Sequence, residues 1–209
     1  DGAILDQGDI IAVMNGNIDT ILKKERVVLN LIQRLSGIAS TTHHLSQITK
    51  PYNIELLDTR KTTPGLRVFE KFAVAIGGGT NHRFSLQDAV MIKDNHLMGN
   101  PDIIQLVHRA RLANPTAEIQ IEVDTKEQLE LALQSEATAL LLDNFSPEQL
   151  PNLIEYIRLN QKSDSLYVEL SGGITAETLA GFCIQGVNGI SMGALTHNIK
   201  SKDISLDIK

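Results

Sequence analysis

From residue 55 onward, short apolar runs of strand length alternate with longer segments whose apolar side chains recur at helical spacing. Six runs read as strands: Glu55–Asp58, Ala89–Lys93, Glu118–Val123, Ala139–Asp143, Leu166–Leu170 and Gly189–Met192. That alternation predicts βα units around a parallel sheet. The intervening segments carry helix-start chemistry. Thr125 with Gln128, and Ser146-Pro147 with Gln149, resemble capping boxes, the second with proline at the first helical position. Asn100-Pro101 and Thr175 provide starts for two more helices. Ahead of the first strand, a helix from about Asp19 to Ser40 puts Val28, Leu31, Leu35 and Ile38 on one stripe. Residues 1–18 follow neither period: Asp6-Gln7-Gly8-Asp9 reads as a turn into Ile10–Met14, the expected end of a small β-rich domain whose body lies upstream.

Polar residues fall at one place in this pattern. Asp58-Thr59-Arg60-Lys61 follow the first strand, Lys93 ends the second, Glu122 the third and Asp143 the fourth; Ser171-Gly172-Gly173 follow the fifth and Gly193-Ala194 the sixth. In β/α barrels and open parallel sheets the C-terminal strand edge holds the active site, because loops converge there and helix N-termini aim N–H groups at it. A cyclic strand arrangement brings all six positions to one rim.

Charge sharpens this picture. Between Asp58 and His96 there are six Lys/Arg (Arg60, Lys61, Arg67, Lys71, Arg83, Lys93) against four carboxylates (Asp58, Glu70, Asp88, Asp94). The totals are 19 and 25, so the rest of the chain carries 13 against 21, and the whole chain −6. A cationic segment in an acidic protein predicts a pocket for a small, multiply charged anion, since guanidinium forks suit carboxylates and phosphates. It argues against a nucleic-acid surface, which needs a much larger basic footprint. At 209 residues and 42% hydrophobic, the chain can bury a sizeable core. Its longest apolar runs, such as 137–142 broken by Thr138, are too short to span a bilayer, and a cytoplasmic location is expected. The single cysteine, Cys183, sits between Phe182 and Ile184 and reads as a buried small side chain.

Each candidate group has a structural and a chemical reading. Arg60 and Lys61 precede Thr62-Thr63-Pro64-Gly65, a tight loop able to turn them inward as ligands. His82 and Arg83 follow Gly77-Gly78-Gly79, which serves either as a helix C-cap in a flexible loop or as backbone that approaches a ligand closely. Lys93 should face a barrel interior and therefore needs an anionic partner, a structural carboxylate or a substrate. Glu122 and Asp143 either share a divalent cation such as Mg²⁺ or balance Lys61 and Lys93. Ser171-Gly172-Gly173 before a helix at Thr175 supplies a hydroxyl and unhindered backbone donors, a phosphate cradle. His43 and His44 read as helix-end residues, and His96, His108 and His197 lack metal-ligand spacing.

In its motifs the sequence resembles the quinolinate phosphoribosyltransferases. The resemblance rests on Glu25-Arg26 with Asn30 and the 33–39 segment, on 58–67, on Gly77-Gly78-Gly79 with Asn81-His82-Arg83, and on 92–96. It continues through Glu122-Val123, Leu142-Asp143-Asn144-Phe145, Ser171-Gly172-Gly173-Ile174 and Gly193-Ala194-Leu195-Thr196-His197. The fold it implies is α/β: an irregular parallel β/α barrel over 19–195, a remnant of an N-terminal α/β sandwich domain at 1–18, and a tail, 196–209, packing on that domain. It implies transfer of phosphoribosyl from phosphoribosyl pyrophosphate to quinolinate with decarboxylation, as in NAD biosynthesis. By resemblance, Arg60, His82, Arg83 and Lys93 grip the two quinolinate carboxylates, and Arg26 reaches across from the partner subunit of a homodimer. Lys61 serves the pyrophosphate or ribose, Glu122 and Asp143 hold Mg²⁺ and the ribose hydroxyls, and Ser171, Gly172, Gly173 and Gly193 take the 5′-phosphate. Catalysis would then fall to Lys61, Glu122, Asp143 and Lys93. Two other readings stand beside it: a Schiff-base barrel lyase using Lys93 or Lys61, and a noncatalytic or molybdenum-transport-associated homologue of the same fold that binds a phosphorylated ligand.

Overall fold

The computed structural model describes residues 1–83, 90–97 and 102–208. Six parallel strands form one sheet: β1 (Glu55–Leu57), β2 (Val90–Ile92), β3 (Ile119–Val123), β4 (Ala139–Asp143), β5 (Tyr167–Ser171) and β6 (Gly189–Ser191). The helices are α1 (Ile18–Thr49), α2 (Arg67–Ile76), α3 (Asp94–Leu97), α4 (Ile103–Ala113), α5 (Lys126–Gln134), α6 (Leu150–Asn160), α7 (Leu179–Phe182) and α8 (Ala194–His197). All six predicted strands form, within one or two residues where their ends are described. The predicted first residue of the second strand, Ala89, and the helix start at Asn100-Pro101 lie outside the described residues; α4 is capped by Asp102, whose Oδ1 accepts the Gln105 N–H at 2.9 Å.

Strand order is β1-β6-β5-β4-β3-β2, the sequential order of a barrel. The sheet is not closed: β1 and β2 are its two edges, with no pairing between them among the described residues. Thr80 forms a parallel bridge with Leu57 on the free edge of β1, so this segment begins to fill the seam. The barrel is irregular, as expected, through this gap.

Register assigns the two faces of the sheet, because paired positions share a face and side chains alternate along each strand. Leu56, Ile92, Ile119, Ile121, Val123, Leu140, Leu142, Val168, Leu170 and Ile190 fall on one face and are all at most 4% exposed, packed into one core with Val107, Leu129 and Ile157 from the helices. The opposite face carries Glu55, Met91, Gln120, Glu122, Asp143, Tyr167, Glu169 and Ser191. On this polar face side chains bridge over intervening strands: Gln120 Nε2 donates to Glu169 Oε2 at 2.6 Å, and the Tyr167 hydroxyl to Glu55 Oε2 at 2.7 Å.

Several local expectations shift. The first helix runs to Thr49 rather than Ser40, capped by Asn17, whose side chain accepts from Asp19 N and Thr20 N. Its buried stripe is Ile38, Thr42, Leu45 and Thr49 together with Leu29; Val28, Leu31 and Leu35 are half-buried. Thr125 caps α5 as predicted, its Oγ1 accepting the Gln128 N–H at 3.2 Å. Ser146 and Pro147 form a turn instead, with Gln149 Oε1 accepting the Ser146 N–H at 2.9 Å; the helix starts at Leu150, with Pro151 in its first turn. Thr175 likewise opens a turn, and α7 begins only at Leu179. The Asp6–Asp9 turn closes through Asp9 N to Asp6 O at 3.2 Å, but residues 10–14 adopt no strand. The C-terminal segment lies along α1, with Lys202 N donating to Gln33 O at 3.0 Å and Gln33 Nε2 to Ile204 O at 2.8 Å. No described helix is long and apolar enough to cross a membrane.

Candidate active site

Two ion pairs, the first fully buried and the second partly so, anchor the loop after β1. The Asp58 carboxylate, fully buried, pairs with Lys71 of α2 and accepts the His82 N–H at 2.8 Å, while Lys71 Nζ donates to His82 O at 2.8 Å. Burial pushes the Asp58 carboxyl up, against the pull of the Lys71 ammonium and the His82 N–H. Removing one partner of such a pair costs about 3–5 kcal/mol, because the other charge is left buried alone. Beside it, Arg34 Nε donates to Glu70 Oε1 at 2.8 Å, Arg34 Nη2 to Thr63 Oγ1 at 3.0 Å and to Thr196 O at 2.6 Å, and Thr63 N to Glu70 Oε2 at 3.1 Å. The 59–66 loop is thereby tied to α1, α2 and α8. Arg60 is left half-buried at the rim, and neither its guanidinium nor the exposed Lys61 ammonium has a protein partner among the described residues. Lys61 lies over Gly193: a Cβ there would sit 3.0 Å from Lys61 Cδ and 3.0 Å from the His197 ring. His197 thus joins the rim, a placement that its sequence spacing did not announce.

His82 and Arg83 come off the free edge of β1. The Arg83 N–H donates to His82 Nδ1 at 2.8 Å, so the ring hydrogen is on Nε2, which faces Glu169 Oε2 at 3.1 Å. Both ring nitrogens are therefore engaged within the chain. Glu169 is 2% exposed; burial acts to raise its carboxyl, but hydrogen bonds from His82, Ser191 and Gln120 outweigh this and hold it below the usual range. Arg83 Nη2 contacts Met91 Sδ at 3.0 Å on the polar face of β2, the face that Lys93 shares two residues on.

Lys93 has the anionic partner its position demanded: Nζ lies 2.7 Å from Glu122 Oε2 on the next strand. Glu122 pairs in register with Leu141, so Glu122 and Asp143 project from one face of adjacent strands. Asp143 Oδ2 accepts from Asn144 Nδ2 at 2.6 Å. The described residues contain no group of three His, Cys, Asp or Glu able to hold a metal. The two carboxylates suit Mg²⁺ bound partly through substrate oxygens rather than an all-protein cage. After β4 and β5 the backbone turns left-handed at Asn144 (φ 62°), Gly172 (φ 97°) and Gly173 (φ 60°), and Asn144 N donates to Ser171 O at 3.0 Å. Space above Gly173 is open: no atom lies within 4 Å of where a Cβ would stand. The backbone here is loop rather than a helix N-terminus: the following helix, α7, is only 4 residues long and starts eight positions after Ser171.

Arg26 does not join this group. Its side chain is 75% exposed on the N-terminal half of α1, and its ion-pair partner among the described residues is Glu25, at 3.4 Å. Cys183 is buried as expected, and burial pushes its thiol up, away from nucleophilic use. Arg34, Glu70, Lys71, Gln120 and Glu169 were not singled out as site residues from the sequence. Their charged or amide partners lie 13 to 87 positions away, distances at which spacing carries no signal.

These features define a β/α-barrel protein whose carboxyl-edge rim gathers cations, two carboxylates and a glycine loop. Residues 38–207 match the family described as quinolinate phosphoribosyl transferase, C-terminal domain. A probable carboxylating nicotinate-nucleotide pyrophosphorylase of Bacillus subtilis is 46% identical over 209 residues, covering all of this chain and 71% of the relative. The Mycobacterium leprae nicotinate-nucleotide pyrophosphorylase (carboxylating) is 36% identical over 208 residues, covering 72% of that protein. The crystal structure of NadC from Streptococcus pyogenes superposes with a TM-score of 0.87 at 38% identity, over 97% of this chain and 70% of that one. The chain belongs to the quinolinate phosphoribosyltransferase family.

Proposed function

We propose that this chain is the carboxylating nicotinate-nucleotide pyrophosphorylase of NAD biosynthesis: quinolinate and phosphoribosyl pyrophosphate become nicotinate mononucleotide, pyrophosphate and CO2. The observation that carries the reading is the rim order set by the sheet: Arg83 over Met91, Lys93 against Glu122, Asp143, the open Gly173 loop, then Lys61 over Gly193. Cations at one end suit a pyridine dicarboxylate; open backbone and Lys61 at the other suit phosphates.

The pyridine nitrogen lone pair forms the bond to the anomeric carbon as the C–O bond to pyrophosphate breaks. In this reading Glu122 and Asp143 favour the oxocarbenium charge of that step, and Lys61 favours the leaving group. With Mg²⁺ held by Glu122, Asp143 and substrate oxygens, the ion would neutralise charge on the departing pyrophosphate. The chain's main contribution is alignment of two anions that otherwise repel. Once the ring nitrogen is quaternary, the adjacent carboxylate leaves as CO2, and the electron pair left on the ring carbon takes a proton.

A homodimer completes the site through Arg26 of the neighbouring copy. Supporting this are the exposure of Arg26 and the uncovered apolar side chains on the two packed helices α1 and α2: Val68, Phe69 and Phe72 on α2 are 68%, 52% and 52% exposed, and Val27 on α1 is 64% exposed. For Lys93 the lyase reading is disfavoured because its Nζ is already held by Glu122 Oε2 at 2.7 Å, which competes with approach to a carbonyl carbon.

Release of pyrophosphate from the two substrates, with CO2 from carboxyl-labelled quinolinate, tests the function; absence of both supports the noncatalytic homologue. Arg83→Ala or Lys93→Ala should weaken quinolinate binding at least about tenfold, or about 1.4 kcal/mol, and wild-type affinity in both variants removes the assignment.

A further inference from the structure

We infer that Glu169, inside the barrel on β5, is the positioning residue that aims Arg83 at the pyridine dicarboxylate, acting through the ring of His82. This rests on the reading of Arg83 as a quinolinate ligand.

The chain of contacts is continuous. Glu169 Oε2 receives His82 Nε2–H at 3.1 Å and Gln120 Nε2–H at 2.6 Å, at a site 2% exposed where water cannot substitute. A carboxylate can only accept, so it selects the Nε2–H tautomer. That tautomer leaves Nδ1 bare, and the bare nitrogen receives the Arg83 N–H at 2.8 Å. The main chain at His82 is independently clamped by Asp58 and Lys71. With backbone and ring both fixed, the peptide entering Arg83 has one orientation, and its guanidinium comes to Met91 beside Lys93. If the ring carried its hydrogen on Nδ1 instead, two N–H groups would meet, and the Arg83 amide would have to turn away. His82 is thus a relay between Glu169 and the Arg83 amide, with both ring nitrogens engaged.

The test is Glu169→Gln, which keeps the shape but can present an N–H to His82. Three readouts apply: quinolinate affinity by calorimetry, affinity for phosphoribosyl pyrophosphate, and the His82 tautomer by two-bond ¹H–¹⁵N NMR. Expected are at least about fivefold weaker quinolinate binding, phosphoribosyl pyrophosphate binding within about twofold of wild type, and loss of the pure Nε2–H pattern. Glu169→Asp, which keeps the charge but withdraws it by one methylene, should lose at least about threefold and keeps the test open if Glu169→Gln fails to fold. Wild-type quinolinate affinity in either folded variant overturns the inference, as does an Nδ1–H tautomer in the wild-type protein. Arg83→Ala separates the failures: if it too binds quinolinate normally, the reading of the site falls; if it alone loses affinity, only the role of Glu169 falls.

Discussion

Gly77-Gly78-Gly79 and Ser171-Gly172-Gly173 look alike in sequence, yet they serve opposite ends. The first run closes a packing interface. A Cβ on Gly77 would meet Ala39 O at 2.5 Å and Thr42 Cβ at 2.6 Å, and one on Gly79 would meet Val74 Cγ1 at 2.7 Å and Thr42 Cγ2 at 2.8 Å. Glycine there lets α1 lie against the C-terminus of α2 and the edge of β1. In the second run only Gly172 is pressed, its Cβ position 2.5 Å from Asn144 N, while Gly173 opens onto free space with φ 60°. The difference teaches that what lies over the missing side chain decides a glycine's job. The helix C-cap expected at Gly77 forms.

Substitutions can break this contrast. Gly77→Ala carries the largest expected effect, a loss of about 1–3 kcal/mol in urea unfolding, because α1 and α2 must part to admit the methyl; an unchanged midpoint would show that the interface yields freely. Gly173→Ala should cost only about 1–2 kcal/mol for the left-handed backbone, yet weaken phosphoribosyl pyrophosphate binding in calorimetry by about threefold or more. Equal affinity would mean that the open space is not the phosphate site. The smallest effect concerns acid. The Glu169 carboxyl sits lower in the folded than in the unfolded chain, so between those two values the unfolded chain binds more protons. Its stabilisation is full above the ordinary value of 4.5 and disappears as pH falls through the folded value. Stability measured down from about pH 4.5 should therefore fall less steeply in Glu169→Gln than in wild type, and parallel curves would count against the His82–Glu169 bond.

Much of the fold was legible because strand and helix periods are local. Ala139–Asp143 forms as read, and Lys93 and Glu122 stand at the rim where apolar runs end in a charge. Helix boundaries were less legible: Pro147 looks like a first-turn proline, but Gln149 satisfies Ser146 in a separate turn and Pro151 takes that place. Lys71 could not be told from a solvent-facing lysine on an amphipathic helix, though it is among the most deeply buried residues.

The order of apolar and polar positions by itself determined the six strands, their parallel arrangement and the gathering of chemistry at their carboxyl ends, since these follow from backbone repeat and chain direction. Tertiary structure alone decided that the polar face of the sheet turns inward, that Asp58 finds Lys71 and Glu70 finds Arg34, and that Glu169 holds His82. A buried charge accepts only a partner brought within hydrogen-bond reach, and that reach exists only once distant segments have closed around it.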